Sequence, residues 1–107
     1  LPKYEEETFE FTLRELSFGD RVNRRLDLNQ SGLVIENVEP AGWGALGGLR
    51  QGDLLLRVEK NSVDSVEGFE KIMNRLITQR KKSVVFFIRR GIHTLFLELE
   101  PDWDQGG

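Results

Sequence analysis

Cysteine is absent from this chain, and histidine and methionine occur once each. Without thiols there is no disulfide framework, no thiolate nucleophile and no cysteine-based zinc site. The compartment stays open, because a cysteine-free chain suits a reducing cytosol and an oxidising envelope space alike. Long apolar runs are missing too. The longest, Val84 to Ile88, is strand-sized, against the ~20 residues that a membrane helix needs. No basic stretch leading into an apolar one marks a secretory leader, so the segment is expected to stay in water without inserting into a membrane. Nor is there a basic excess. Fifteen Lys and Arg face eighteen Asp and Glu, for a net charge of -3, and the basic groups at Arg24-Arg25, Arg80-Lys81-Lys82 and Arg89-Arg90 are scattered among acids. A nucleic-acid binder concentrates positive charge on one face, so nucleic acid is not an expected partner.

The parts of an active site are also missing. His93, the one histidine, stands beside the Gly91 turn, where it reads as an exposed strand residue. No Gly-x-Ser-x-Gly elbow occurs, and Ser17, Ser31, Ser62, Ser65 and Ser83 all have cap or turn roles open to them. The carboxylates fall mostly in solvated runs such as Glu5-Glu6-Glu7, and no pair is placed by spacing in a common apolar pocket. One enzymatic motif does appear. Gly42-Trp43-Gly44-Ala45-Leu46-Gly47 matches G-x-G-x-x-G after a strand, with Asp64 at about the distance a ribose-binding acid would take. A dinucleotide site needs a long helix there, with its N-terminus on the pyrophosphate. Gly48 and Gly52 interrupt any such helix, so the segment reads as a glycine-rich bend with one helical turn. No enzyme activity, cofactor or metal is expected. Trp43 and Trp103 read as packing anchors.

What remains is a small globular domain: 107 residues, 38% apolar and 31% charged. Phe9, Phe11 and Leu13 alternate with polar residues, the period of a strand with one buried face. The stretch Leu16 to Leu28 has mixed polarity and reads as a loop with a helical turn. Leu33 to Val38 is a strand closed by Pro40, and Leu54 to Val58 another after Gly52-Asp53. Asp64 or Ser65 can cap a helix on which Val66, Phe69, Ile72, Met73 and Leu76 form one apolar face, and Asp64 with Glu67 has capping-box spacing. Ser83 to Arg89 and Thr94 to Leu99 form a hairpin around Gly91, and Pro101 ends the last strand. The order predicts a mostly β, α+β domain with one principal helix.

The stretch Gly32-Leu33-Val34-Ile35-Glu36-Asn37-Val38-Glu39-Pro40, then Ala45, then Gly48-Leu49-Arg50-Gln51-Gly52-Asp53-Leu54-Leu55, resembles the signature of bacterial PDZ domains. There a strand ending in V-x-P leads through an alanine-containing turn to G-L-x-x-G-D and an aliphatic strand. The resemblance runs from Thr8 to Leu99. It implies a small β-barrel or sandwich of five or six strands with one main helix and one short one, in the circularly permuted order that places the ligand-binding strand first. It divides the chain into a flank at 1–7, the domain at 8–100 and a tail at 101–107.

The function the resemblance implies is binding of peptides or unfolded-protein segments, C-termini included, with no catalysis of its own. Such domains commonly follow a trypsin-like domain in HtrA-type serine proteases, which implies a linked protease domain and a place in the bacterial periplasm or envelope. The physical basis is a sheet edge beside a helix, to which a peptide adds as a further strand. The family's carboxylate loop reads apolar-Gly-apolar; Phe9-Glu10-Phe11 matches it, with Thr12, Leu13 and Arg14 on the strand that pairs with ligand. Phe69, Ile72, Met73 and Leu76 are the helix side of the groove, some of them facing the core instead. Glu10 departs from the pattern. Its backbone serves the loop if the required φ is negative, and at ~6 Å its charge repels a ligand carboxylate by roughly 0.7 kcal/mol in water or ~3 kcal/mol at a dielectric of 20. That departure favours internal segments or basic ligands, or a structural docking and oligomerisation role with little binding of free peptide.

Overall fold

The computed structural model describes residues 2–101 of the chain. Trp103 and most of the tail lie outside the described residues. Seven strands and three helices follow in the order β1 (Lys3–Glu6), β2 (Phe11–Glu15), α1 (Phe18–Asn23), β3 (Leu33–Val38), α2 (Trp43–Leu46), β4 (Leu54–Val58), β5 (Asn61–Ser62), α3 (Val66–Gln79), β6 (Val84–Arg90) and β7 (His93–Leu99). All pairs are antiparallel, and the sheet runs β1-β2-β3-β4-β6-β7 with β5 on β4. The sheet is open, and the described residues hold seven strands and three helices where five or six strands and two helices were expected.

The added elements can each be traced to particular residues. Ser17 caps α1 in a full capping box: its hydroxyl accepts from the Asp20 amide, and the Asp20 carboxylate accepts from the Ser17 amide at 2.7 Å. β5 forms because Glu59, at φ 55°, turns the chain back on β4. β1 arises from residues 3–6 of the flank, which pair along β2. The glycine-rich bend holds the single turn α2, too short for a dinucleotide cradle.

The core lies where α3 covers the sheet. Phe9, Phe11, Leu13, Leu33, Ile35, Leu55, Phe69, Met73, Leu76, Phe86 and Ile88 form one buried cluster with their neighbours. Its centre is aromatic: Phe69 and Phe86 meet edge-on at 6.3 Å, and Phe11 contacts both, at 6.1 and 5.8 Å. Trp43 packs against the same cluster. Ser65, not Asp64, is the N-cap of α3, its hydroxyl accepting from Gly68 N–H at 3.0 Å. The Val66 amide of the same first turn donates to Glu15 at the end of β2, 2.9 Å away, and this fixes the helix beside that strand.

The G-L-x-x-G-D motif is a structural clasp. Gly52 takes φ 93°, a conformation that favours glycine, and hands the chain to Asp53, which is 1% exposed. Asp53 accepts from the Arg50 amide at 2.9 Å and from the Arg90 guanidinium at 2.8 Å through each oxygen. Arg90 also donates to Gly48 O, so one side chain ties both ends of the motif to β6. Among the described residues no buried side-chain polar atom lacks a partner, and no helix is long and apolar enough to cross a membrane.

Candidate functional site: the edge of β2 beside α3

β2 has two edges. One pairs with β3, through a register shift between Thr12 and Leu13; the other lies on the side of α3's first turns. The sequence leads one to expect that second edge to stand open, and in the structure it is filled. β1 lies along it antiparallel, with Lys3 opposite Arg14, Tyr4 opposite Leu13, Glu5 opposite Thr12 and Glu6 opposite Phe11.

Alternation decides which β1 side chains turn inward. Tyr4 and Glu6 share the inner face. The Tyr4 ring meets Phe69 of α3 edge-on at 5.8 Å, extending the aromatic core to the sheet edge. Glu6 is only 2% exposed, and its Oε1 accepts from the Thr8 amide at 2.9 Å, with the Phe9 amide as a second donor. Burial pushes the Glu6 carboxyl above its ordinary range; the Thr8 amide and hydroxyl and the Phe9 amide pull the other way without reversing the shift. Burial also raises the Tyr4 phenol, with Glu6 and Glu70 adding to it.

Lys3 and Glu5 face outward. Lys3 Nζ pairs with Glu36 at 2.9 Å, and the other Glu36 oxygen takes Arg14 Nε at 2.9 Å. Arg14 also grips Asp20 with both terminal nitrogens, which holds the Asp20 carboxyl far below its usual range. Arg14, expected on the ligand-pairing strand, thus ties β2 to α1 and β3.

The loop at 7–10 is braced from behind. Gly44 N–H of α2 donates to Phe9 O at 2.7 Å, and Glu39 N–H donates to Glu10 O at 3.0 Å. A Cβ on Gly44 would stand 2.8 Å from Phe9 O, so this approach requires glycine. Glu10 has φ 60°, not the negative value that would let a glutamate sit there at no cost. The loop keeps the conformation that glycine prefers, with a strained glutamate whose Oε1 accepts from Trp43 N–H at 3.3 Å. Glu10 joins Glu5, Glu6, Glu7 and Glu39 around a cleft of about 310 Å³ at this end of the hairpin.

The ten residues expected at the site divide by burial. Phe9, Phe11, Leu13, Phe69, Met73 and Leu76 are at most 3% exposed and belong to the core cluster. Glu10, Thr12, Arg14 and Ile72 are partly exposed, and Ile72 is the α3 residue at the boundary between core and surface. Tyr4 and Glu6 were missed. Their signal was weak: one aromatic residue two places before a glutamate, in a stretch that reads as solvated.

No protein-family model matches the chain, and no curated protein matches it. Solved structures do, among 59 matching chains. The HtrA3 PDZ domain bound to a phage-derived ligand superposes with a TM-score of 0.70 at 16% identity, over 94% of this chain and 89% of that one. An HtrA-type protease, an AlgW variant with a decapeptide, gives 0.71 at 21% identity over 87% of this chain. This chain spans 27% of the AlgW chain's length. The fold is therefore that of a PDZ domain.

Proposed function

We propose that this chain is a non-catalytic peptide-binding module that receives an extended segment along β2 beside α3. The observation that carries the reading is the seat of β1. The β2 edge already accepts an antiparallel strand, with one side chain against Phe69 and a carboxylate on the amides of the adjoining loop. Backbone pairing supplies affinity in such a site and alternate side chains supply selectivity. The peptide-bound state of the two similar structures supports the same reading. The partners we propose are peptides or unfolded-protein segments, including free C-termini. The module, residues 8–100, would serve a linked trypsin-like serine protease of the HtrA type in a bacterial periplasm or envelope, recognising substrate or regulating the protease.

A second reading has one specific observation in its favour. With β1 in place the edge is paired, as a purely structural docking domain would have it. Selection from a random library of peptides with free C-termini, followed by titration of the synthetic winners, separates the two. The peptide-binding reading expects saturable binding in which the winners compete with one another. No saturable binder from such a library would leave the docking role.

A further inference from the structure

Among the described strands β1 pairs with β2 alone, and its inner face carries only Tyr4, partly buried, and Glu6. Its outer anchor is the exposed Lys3–Glu36 pair, which salt screens. β3 and β4, by contrast, contribute Leu33, Ile35, Leu55 and Val58 to the core. A strand so lightly held opens before the sheet does. Residues 9 and 10 of the loop beneath it have braces of their own, because Phe9 O and Glu10 O are held by Gly44 and Glu39. The hinge therefore falls at Glu7–Thr8. Once β1 swings out, the β2 backbone, the face of Phe69 and the amides of Thr8 and Phe9 all lose their occupant together.

We propose that β1 is the resident ligand of this groove, a strand that must peel away before an external one enters. Its own pattern describes the entrant: an aromatic ring two residues ahead of a carboxylate, borne by a side chain or by a free C-terminus. This rests on the peptide-binding reading and adds to it a gate and a ligand class. A short hinge keeps β1 at a high effective concentration, so an entrant's apparent Kd is its intrinsic Kd divided by the open fraction. Loosening β1 must tighten external binding, the reverse of what loss of a contact residue does.

The absence of cysteine makes the test direct. Glu5 and Thr12 lie opposite each other, so the double change Glu5→Cys, Thr12→Cys places one thiol on each strand at disulfide distance, no other disulfide can form within the chain, and the oxidised monomer is the species compared. The probe is the free-acid pentapeptide of residues 2–6, with a second version carrying alanine for its tyrosine. The expected result is binding to the reduced chain and none to the oxidised one, with the alanine probe weaker. Tyr4→Ala in the otherwise unaltered chain should bind the probe about tenfold more tightly. In the unaltered chain, β1 amides should exchange hydrogen faster than those of β3 and β4. Equal binding to both redox forms, or equal protection of β1 and β3, overturns the gate and leaves peptide binding standing. Absence of binding to the reduced chain and to Tyr4→Ala overturns both.

Discussion

Asp53 and Arg90 stand 37 residues apart in sequence and meet through two hydrogen bonds of 2.8 Å, with the carboxylate 1% exposed. Arg90 keeps 28% of its side chain exposed and can turn to water, so removing Asp53 costs chiefly the acceptor it supplies to the Arg50 amide and the guanidinium. Asp53→Ala should cost about 2 kcal/mol, read as a lower urea midpoint at unchanged slope. A loss under ~1 kcal/mol would mean that the clasp is not what holds the G-L-x-x-G-D turn.

The pair also marks what the sequence alone could not supply. The motif's glycine and aspartate were legible, but their partner was not, because nothing local links Asp53 to Arg90. β3 and β4 emerge at their observed bounds because each is a short apolar run between turn residues. The helix whose apolar face ends at Leu76 runs on to Gln79, with an Arg80 cap at φ 49° that no glycine announces. Ser17-x-x-Asp20 did spell the start of α1. β1 was hidden, since Lys-Tyr-Glu-Glu looks solvated until β2, α3 and the loop amides surround Tyr4 and Glu6. The same tertiary packing placed six of the ten expected site residues in the core.

Met73 and Ile72 are neighbours on α3 with different surroundings: Met73 is 1% exposed within the core, while Ile72 only packs against it. Met73→Ala should cost ~2–5 kcal/mol in thermal or urea unfolding. Ile72→Ala should cost under ~1.5 kcal/mol and weaken peptide binding at least as much as it weakens the fold. Equal losses of stability would place both residues in the core.

Glu10 at φ 60° separates conformation from charge. Glu10→Gly and Glu10→Ala both remove the carboxylate, and only glycine relieves the backbone. The glycine variant should be more stable than the alanine variant by about 1 kcal/mol, the usual cost of a left-handed residue bearing a Cβ. Glu10→Gln removes charge at constant bulk, so improved binding of a free-acid peptide in both Gln and Gly variants identifies repulsion. Improvement in glycine alone identifies loop geometry.

Burial raises the Glu6 carboxyl, and an acid whose folded pKa is raised stabilises its docked state at low pH and loses that contribution as pH rises through the raised value. Glu7 adds to the shift, and Glu5, Glu10 and Glu39 share the cleft. The lowered Glu36, paired with Lys3 and Arg14, works in the opposite sense but is exposed to screening. In high salt, β1 hydrogen exchange corrected for its intrinsic rate should therefore speed up as pH rises from below to above the ordinary carboxylate range. Glu6→Gln should flatten the profile. A profile that slows over this range, or is unchanged in the variant, removes Glu6 from control of β1.

The most direct test is amide chemical-shift mapping of the whole chain during titration with a free-acid peptide taken from library selection. The peptide should perturb β1, the 7–10 loop, β2 and the first two turns of α3, with β1 moving toward the shifts of an unpaired segment. The molecule offers a ready contrast on its far side, where Phe96 is 68% exposed and lies 4.6 Å from Phe87. Saturable binding that perturbs β6 and β7 around those rings, while β1 and β2 stay unchanged, would contradict the account.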